Sequence, residues 1–252
     1  MNGYLYETHL HTSEASACGR TSGSDYIDFM ISRGYHGMIV TDHFFTGNSA
    51  IDEELPWEEK VDLYMQGYEK ALEAARGKDF DVLFGIEFNF ERDEYLIYGP
   101  AREWLLASEA IMTMTRREVY ECVHSAGGIL VHAHPYRERN YVTNIKLMPE
   151  ICDAIEVYNA GNTDNQNALG YEYATSLGLP MTAGSDIHKC HDNAMGGMIL
   201  PRRARTPYEY AAMVTAGEGT PVRVMDGRID AVADIPDLTV PVSGPTLPVV
   251  KM

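Results

Sequence analysis

The chain has 252 residues, of which 45% are hydrophobic and 23% are charged, and 20 basic against 37 acidic residues give a formal net charge of -17. This composition is typical of a folded globular protein, and the length suits one α/β barrel domain. The acidic balance repels nucleic-acid phosphates and anionic membrane surfaces. We therefore expect neither a nucleic-acid partner nor a membrane partner.

The sequence also carries no sign of export or membrane insertion. It has no apolar run near the roughly 18 residues of a membrane span, and its start lacks the basic and apolar regions of a secretion signal. The four cysteines show no Cys-x-x-Cys spacing. These features predict a cytoplasmic protein.

The first apolar run, residues 4–6, predicts a strand that leads into His9 and His11. Side chains two apart in a strand share a face, so these two imidazoles are expected side by side. Neutral imidazole is a common ligand of zinc and other transition metals. After a polar loop, a helix is predicted over residues 25–33, with Ser24 as its N-cap and Gly34 just beyond its end.

The rest of the chain alternates between strand and helix patterns. Apolar runs predict strands over residues 37–41, 81–86, 95–98, 129–131, 154–158 and 180–184, and helical periodicity predicts helices over residues 57–76, 116–126 and 165–177. Such alternation predicts parallel strands with right-handed crossovers. We expect one α/β barrel domain over residues 1–225, and a proline-rich tail over residues 226–252 that is extended or partly disordered.

Polar side chains that could bind metal gather where these strands end. They are His9, His11, His43, Glu87, His132, His134, Asp186 and His188. In an α/β barrel the strand ends converge on the face that holds the active site. A mixed set of histidine and carboxylate suits Zn, Mn or Fe, and more than four ligands indicate more than one ion.

Each candidate also has a purely structural interpretation. Burial of Glu87 behind an apolar strand would be costly without a cation, which favours a ligand that could bridge two ions. Asp42 is expected to cap a loop or support a ligand. His36 and His124 are expected to be structural or surface residues. Of His132 and His134, one is expected to be a ligand and the other to support it.

Five motifs together resemble the PHP (polymerase and histidinol phosphatase) family, in the family's order. They are His9-Leu10-His11, Thr41-Asp42-His43, Gly85-Ile86-Glu87, Ala133-His134-Pro135 and Gly184-Ser185-Asp186-Ile187-His188. The resemblance implies a distorted (β/α)7 barrel, similar to a TIM barrel, with its active site at the carboxyl ends of the strands. It also implies two or three divalent ions (Zn, Mn or Fe) and hydrolysis of phosphoesters.

The resemblance further implies a role for each matching residue. The first ion would be held by His9, His11, Glu87 and Asp186; the second by Glu87 and His134; and the third by His43, His188 and a residue of the first loop. Glu14 is the expected loop ligand, with Cys18 as the alternative. Where family members often have a further histidine, this chain has Glu94 or Tyr95.

The implied reaction is attack on phosphorus by a hydroxide formed from water whose pKa a bound metal lowers towards about 7. The candidate catalytic residues are Glu87, Asp186 and His43. Arg137 and His191 are the candidate substrate-binding residues, with Arg20 as a further candidate for a phosphate contact.

Three functions remain open from the sequence. The first is a metal-dependent phosphoesterase that cleaves a small phosphate monoester or diester. The second is a metal-dependent amide or lactone hydrolase, because the same activated water can attack a carbonyl group. The third is a non-catalytic metal-binding regulatory module. The sequence does not indicate an oligomeric state.

Overall fold

The computed structural model describes residues 3–190 and 194–251 as a mixed α/β fold built on a curled ten-stranded sheet. The strands of this sheet are β1 (Tyr4–Glu7), β2 (Gly37–Val40), β3 (Asp81–Phe90), β4 (Asp93–Tyr98), β5 (Ile129–His132), β7 (Ala154–Asn159), β8 (Met181–Gly184), β9 (Met195–Leu200), β10 (Thr220–Met225) and β11 (Arg228–Ala231). A separate parallel pair consists of β6 (Ile145–Leu147) and β12 (Val249–Lys251).

Seven helices accompany these strands in the described residues. They are α1 (Gly23–Ser32), α2 (Trp57–Ala74), α3 (Arg102–Leu106), α4 (Arg116–Ser125), α5 (Asp164–Leu177), α6 (Pro207–Thr215) and α7 (Pro236–Thr239). Short 3-10 turns lie at Glu109–Thr113, Pro149–Ile151 and Val232–Asp234. Among the helices of the described ranges, none has the length and apolar character needed to span a membrane.

The order of strands across the sheet is β11-β10-β9-β1-β2-β3-β4-β5-β7-β8. The predicted parallel pairing holds within β1-β2-β3 and within β5-β7-β8. Strand β4 runs antiparallel to both of its neighbours, and β9, β10 and β11 also pair antiparallel. The α/β class is confirmed, whereas a strict (β/α)7 order is not observed.

The antiparallel strand β4 follows from a tight hairpin that joins it to β3. The two residues at its tip, Glu91 and Arg92, adopt left-handed backbone conformations with φ of 52° and 75°. A two-residue turn of this kind matches the twist of paired antiparallel strands. The chain therefore returns directly, without the crossover helix that a parallel strand would need.

The curl of the sheet brings the ends of β1 and β8 together. His11 N–H donates to the carbonyl oxygen of Ile187 at 2.9 Å, just beyond these two strands. Strand β8 also packs closely against β9, where a Cβ atom on Gly196 would lie 2.2 Å from the carbonyl oxygen of Gly184. Only glycine permits this approach, which fixes the two strand ends beside each other.

The helix termini largely follow the sequence signals. Thr115 and Thr163 each form a capping box at the start of α4 and α5, and α5 stops at Gly178, whose φ is 65°. Helix α1 differs, because its N-cap is Ser22 and not Ser24. The carboxylate of Glu14 accepts the first helical N–H of α1, from Gly23, at 3.2 Å and so replaces the expected cap.

The last part of the chain is more ordered than the sequence indicates. Strand β11 pairs with β10, and β12 pairs with β6. Between them, Val232 and Leu238 are buried in the main hydrophobic core. The boundary expected at residue 225 falls within the β10–β11 hairpin, so this hairpin joins the final segment to the large sheet.

Substitution of Leu238 by alanine should test this packing. Because the side chain is fully buried, Leu238→Ala should lower the free energy of unfolding by about 2–5 kcal/mol. The control is Val242→Ala, since Val242 is 86% exposed and should change stability by less than about 0.5 kcal/mol. Urea denaturation measures both. Equal stability of the two variants would contradict the packing of the tail against the core.

Candidate metal centre

The polar residues that follow the strands converge on one buried cluster. It consists of His9 and His11 after β1, His43 after β2, Glu87 in β3, His134 after β5, and Asp186 and His188 after β8. All of these residues are buried except Asp186 and His188, which are half-buried. Strand β3 continues past Glu87 to Phe90, so this carboxylate lies inside its strand and not at the end.

Glu87 occupies the middle of the cluster. Its Oε1 lies 3.0 Å from His9 Nε2 and 3.2 Å from His134 Nε2. Its Oε2 lies 2.6 Å from His43 Nδ1 and 3.5 Å from His11 Nε2. Each carboxylate oxygen thus faces a different pair of histidines, an arrangement that suits a carboxylate shared between two cations.

Asp186 and His188 extend the cluster around Glu87. Asp186 Oδ1 lies 3.0 Å from His11 Nε2. The His11 ring lies 4.3 Å from the His43 ring and 4.4 Å from the His188 ring, between ring centroids. The cluster contains four groups of three residues in which the possible ligand atoms of each group lie within 4.8 Å of one another. The groups are His9, Glu87 and His134; His9, His11 and Asp186; His43, Glu87 and Glu94; and His11, His43 and His188.

Several atoms of the cluster are buried without a hydrogen bond. In the described part of the chain, these include His9 Nε2, His11 Nε2, His43 Nδ1 and Glu87 Oε2. They approach one another, but not in hydrogen-bonding geometry. A buried polar atom that lacks a partner costs about 1–3 kcal/mol. A divalent ion would satisfy imidazole nitrogens and carboxylate oxygens together, so the residues present fit a metal centre.

The electrostatics of the cluster also favour positive charge beside its carboxylates. Burial opposes ionisation of Glu87, but His43, His9 and His11 outweigh it and hold the pKa of Glu87 well below its usual range. Burial also lowers the pKa of His43, yet the charge of Glu87 raises it overall to about 11. The carboxylates therefore attract cations strongly. A bound metal would supply that charge and leave the imidazoles neutral, as ligands must be.

A layer of polar side chains holds the histidines in place. Glu156 accepts a hydrogen bond from His9 Nδ1 at 2.9 Å and from His134 N–H at 3.0 Å. Such a carboxylate fixes the ring orientation and leaves the other nitrogen to a metal. This role was not predicted from the sequence, although a glutamate in the middle of the apolar run 154–158 was a usable signal.

Asp42 and Glu7 organise the loops that carry the histidines. Asp42 Oδ1 accepts from Thr12 N–H and from Ser16 Oγ, both at 2.6 Å, and the Ser16 hydroxyl also lies 3.1 Å from His11 Nδ1. These bonds agree with the loop-capping role expected of Asp42. Glu7 accepts backbone N–H groups at the ends of both β1 and β8, a role that the sequence analysis also missed.

Two cluster residues have unusual backbone conformations. His134 has a φ of 31° and Asp186 a φ of 56°, a region that residues other than glycine rarely adopt. Each such residue costs on the order of 1–3 kcal/mol, which the surroundings must offset. For His134 the bond from its N–H to Glu156 contributes, and for Asp186 an ion pair with Arg137 contributes. Strain of this kind is common at functional sites.

The structure distinguishes Glu94 from Tyr95. Glu94 points to the cluster, with its carboxylate 3.5 Å from His134 Nε2 and 3.9 Å from His43 Nδ1. Tyr95 points to the opposite face, where its ring stacks on His132 at 4.7 Å. His132 itself bonds Asp93 at 3.0 Å and lies outside the cluster. Of the two residues at the position where family members often have a further histidine, it is therefore Glu94 that stands beside His134.

The first loop places Cys18, and not Glu14, beside the third group of histidines. Glu14 accepts from Gly23 N–H and from Lys70 Nζ at 3.0 Å, so its carboxylate serves the start of α1. Cys18 lines the same cavity as His43 and His188. Burial opposes ionisation of this thiol, but the two histidines lower its pKa to about 6. These contacts favour Cys18 over the expected Glu14 as the loop ligand, and the choice between them stays a prediction.

Arg137 lies at the edge of the cluster, where protein groups hold its guanidinium. Its Nη1 donates to Asp186 Oδ2 at 2.5 Å. Its other nitrogens donate to Asn159 Oδ1 at 2.7 Å and Asn162 Oδ1 at 2.9 Å. A role in substrate binding stays a prediction, as it does for His191, which lies outside the described residues.

The remaining histidines and Arg20 have structural surroundings. His36 Nδ1 accepts from Leu5 N–H at 3.1 Å, and His124 bonds Asp153 at 2.9 Å, so both are placed as expected. Arg20 is exposed and donates to carbonyl oxygens of its own loop. None of the three belongs to a metal-binding group of the described residues.

Comparison with solved structures shows the same fold in several bacterial proteins. The chain is similar to a two-domain protein of Bacteroides vulgatus that contains a predicted PHP-like metal-dependent phosphoesterase, with a TM-score of 0.66 and 13% identity, over 87% of this chain and 64% of that one. It therefore spans less than two thirds of that protein's length.

Two further structures have lower TM-scores. A predicted metal-dependent phosphoesterase of Bifidobacterium adolescentis gives a TM-score of 0.52 and 19% identity, over 75% of this chain and 89% of that one. PsfC of Pseudomonas syringae gives a TM-score of 0.55 and 17% identity, over 86% of this chain and 95% of that one. Comparison with curated proteins yields no match.

A family model of the PHP domain matches residues 7–176, which is more than half of the chain. The matched range includes the histidines after β1, β2 and β5 as well as Glu87. The chain has the metal-dependent hydrolase fold of this family, and it belongs to the PHP domain family.

Proposed function

We propose that the protein is a metal-dependent phosphoesterase that hydrolyses a small phosphate monoester or diester. The observation that carries the proposal is the buried cluster around Glu87, in which imidazole nitrogens and a carboxylate oxygen lack hydrogen-bond partners. Membership of the PHP domain family supports the reaction class. The fold shared with predicted metal-dependent phosphoesterases is consistent with it.

The proposed ligand sets follow the groups that the fold brings together. His9, His11, Glu87 and Asp186 would hold a first ion. Glu87, His134 and Glu94 would hold a second ion. His43 and His188 would hold a third, with Cys18 in place of the carboxylate expected from the loop.

Metal ions bound here would supply an activated water for attack on phosphorus and positive charge for the phosphoryl oxygens. The protein's own contribution is to position their ligands. Glu156 fixes the His9 ring through Nδ1, and Arg137 holds one oxygen of Asp186 while the other faces His11. Within the set, Glu87, Asp186 and His43 are the proposed catalytic residues. Glu87 and His43 each belong to two of the four groups of possible ligands, and Asp186 Oδ1 faces both His9 and His11.

The alternative functions use the same cluster. An amide or lactone hydrolase would need the same ions, and a regulatory module would bind them without turnover. Glu94 bears on the alternative of a regulatory module, since its carboxylate lies beside His134 and His43. The change from the usual histidine therefore leaves a possible ligand in place, which favours a complete and active centre.

Phosphate release from a panel of esters tests the proposal. The Mn-loaded protein should hydrolyse p-nitrophenyl phosphate, bis-p-nitrophenyl phosphate or histidinol phosphate, and His9→Ala should lower kcat/KM by at least about hundredfold because it removes a ligand from two groups. The control is His124→Ala, which alters an exposed histidine outside the cluster. Equal release by wild type and His9→Ala, or none by the metal-bound wild type, would contradict the phosphoesterase and favour the alternatives.

Cobalt spectroscopy separates Cys18 from Glu14 without any assay of activity. If the Cys18 thiolate binds the third ion, the Co²⁺-loaded protein should show a thiolate-to-cobalt charge-transfer band in the near ultraviolet. The band should be lost in Cys18→Ser and kept in Glu14→Gln. Persistence of the band in Cys18→Ser would assign it to another of the four cysteines and refute the proposed ligand.

A further inference from the structure

A cavity of about 670 Å³ opens over the candidate metal centre, and its wall is unusually basic for this chain. Its lining includes His43, Asp186 and His188 from the cluster, Glu94 beside them, and three arginines, Arg92, Arg137 and Arg139. The whole chain has almost twice as many acidic as basic residues. Carboxylate partners for arginine are therefore plentiful, and arginines without one call for an explanation.

Arg92 lacks a carboxylate partner although acidic residues flank it in sequence. Glu91 pairs instead with Lys146 at 2.8 Å, and Asp93 bonds His132 at 3.0 Å. Arg92 donates to the carbonyl oxygen of Tyr141 and lies 5.7 Å from the centroid of its ring. These contacts hold the side chain at the cavity and leave its charge without a counterion among the described residues.

Arg139 is in a similar position on the opposite loop. Its guanidinium donates to the carbonyl oxygens of Glu138 at 2.9 Å and Gly161 at 2.8 Å. The carboxylate of Glu138 faces away and accepts from Thr246 N–H at 2.6 Å. No carboxylate in the described ranges lies within ion-pair distance of Arg139, whereas Arg137 beside it is paired with Asp186.

Arg92 is exposed, but an interpretation as an ordinary surface arginine fits Arg139 poorly. Arg139 is half-buried, and burial together with the neighbouring charge of Arg137 lowers its pKa. Backbone carbonyls fix both guanidinium groups but do not neutralise them. Arginine carries five N–H donors in a planar fork that matches phosphate and carboxylate oxygens, so each still has donors for an anion in the cavity.

We propose that Arg92 and Arg139 bind a second anionic group of the substrate, apart from the phosphate that reacts at the metal centre. The preferred substrates would then be small phosphoesters that carry another phosphate or a carboxylate. This inference rests on the proposed phosphoesterase function and deepens it. It also explains how a strongly acidic protein attracts a multiply charged anion, since local positive charge at a cavity offsets the overall potential.

Matched pairs of esters test the second anion site. Glycerol 3-phosphate is compared with 3-phosphoglycerate, which adds a carboxylate, and glucose 1-phosphate with glucose 1,6-bisphosphate, which adds a phosphate. The metal-loaded wild type should show a lower KM for the member with the added anion in at least one pair, and that pair identifies the anion. Arg92→Ala and Arg139→Ala should each raise this KM about tenfold, the effect of one charge-assisted hydrogen bond.

The ester with a single anionic group is the internal control in each pair. Because it does not contact the second anion site, its KM and kcat in both variants should stay within about twofold of the wild-type values. Arg76→Ala removes the same charge from an exposed residue that pairs with Glu73 and should change neither member. An equal rise in KM for both members, or no discrimination by the wild type in either pair, would overturn the proposal.

Calorimetric titration of the same esters separates failure of this inference from failure of the proposed function. Turnover of no ester by the metal-loaded wild type would contradict the phosphoesterase, and the second anion site would then be judged by binding alone. Unchanged affinity for 3-phosphoglycerate and glucose 1,6-bisphosphate in Arg92→Ala and Arg139→Ala would refute the site. Weaker binding of the doubly anionic ester in both variants, but not in Arg76→Ala, would support it.

Discussion

The structure depends on how it accommodates a buried carboxylate, Glu87, surrounded by four histidines. Taking charges and lone pairs out of water is costly unless they are paired, and the cost of an unpaired buried charge reaches several kcal/mol. Here Glu87 faces His9, His11, His43 and His134 at 2.6–3.5 Å. Buried imidazole nitrogens without hydrogen-bond partners lower the stability of the fold, and bound divalent ions would remove this cost. Metal binding and stability are therefore expected to be linked.

Much of the surrounding structure serves to hold these ligands. Glu156, Asp42 and Glu7 are all buried, and each bonds backbone or side-chain groups next to a cluster residue. The left-handed conformation of His134 is supported by its bond to Glu156, and that of Asp186 by its ion pair with Arg137. The curl of the sheet, which brings the end of β8 beside β1, is what lets Asp186 reach the histidines of the first strand. Fold and site are thus specified together.

The sequence predicted the elements and the cluster well because both leave local signals. Apolar runs and helical periodicity located most strands and helices. The predicted placement of His9, His11 and Glu87 at strand ends indicated that they would converge, although Glu87 lies inside β3. The choice between Glu14 and Cys18 could not be read in this way. Both occur in one polar loop, and only the path of that loop directs Glu14 to the start of α1 and Cys18 to His43 and His188.

Other differences have the same origin in tertiary contacts. Strand β4 was expected to be parallel, but its pairing depends on the tight hairpin at Glu91 and Arg92. The proline-rich tail lacks periodicity, yet Leu238 finds a place in the core. Glu156 is a polar residue in an apolar strand pattern, and its importance becomes clear only when His9 and His134 are placed on either side. Side chains that support ligands leave weaker sequence motifs than the ligands do.

The central claim is that the cluster around Glu87 holds metal ions, and anomalous X-ray diffraction tests it most directly. Crystals grown with Zn²⁺ or Mn²⁺ would be measured above and below the absorption edge of the metal. The account predicts two or three anomalous peaks among His9, His11, His43, Glu87, His134, Asp186 and His188. Saturating metal with no peak in this cluster, or with peaks only on the protein surface, would contradict it.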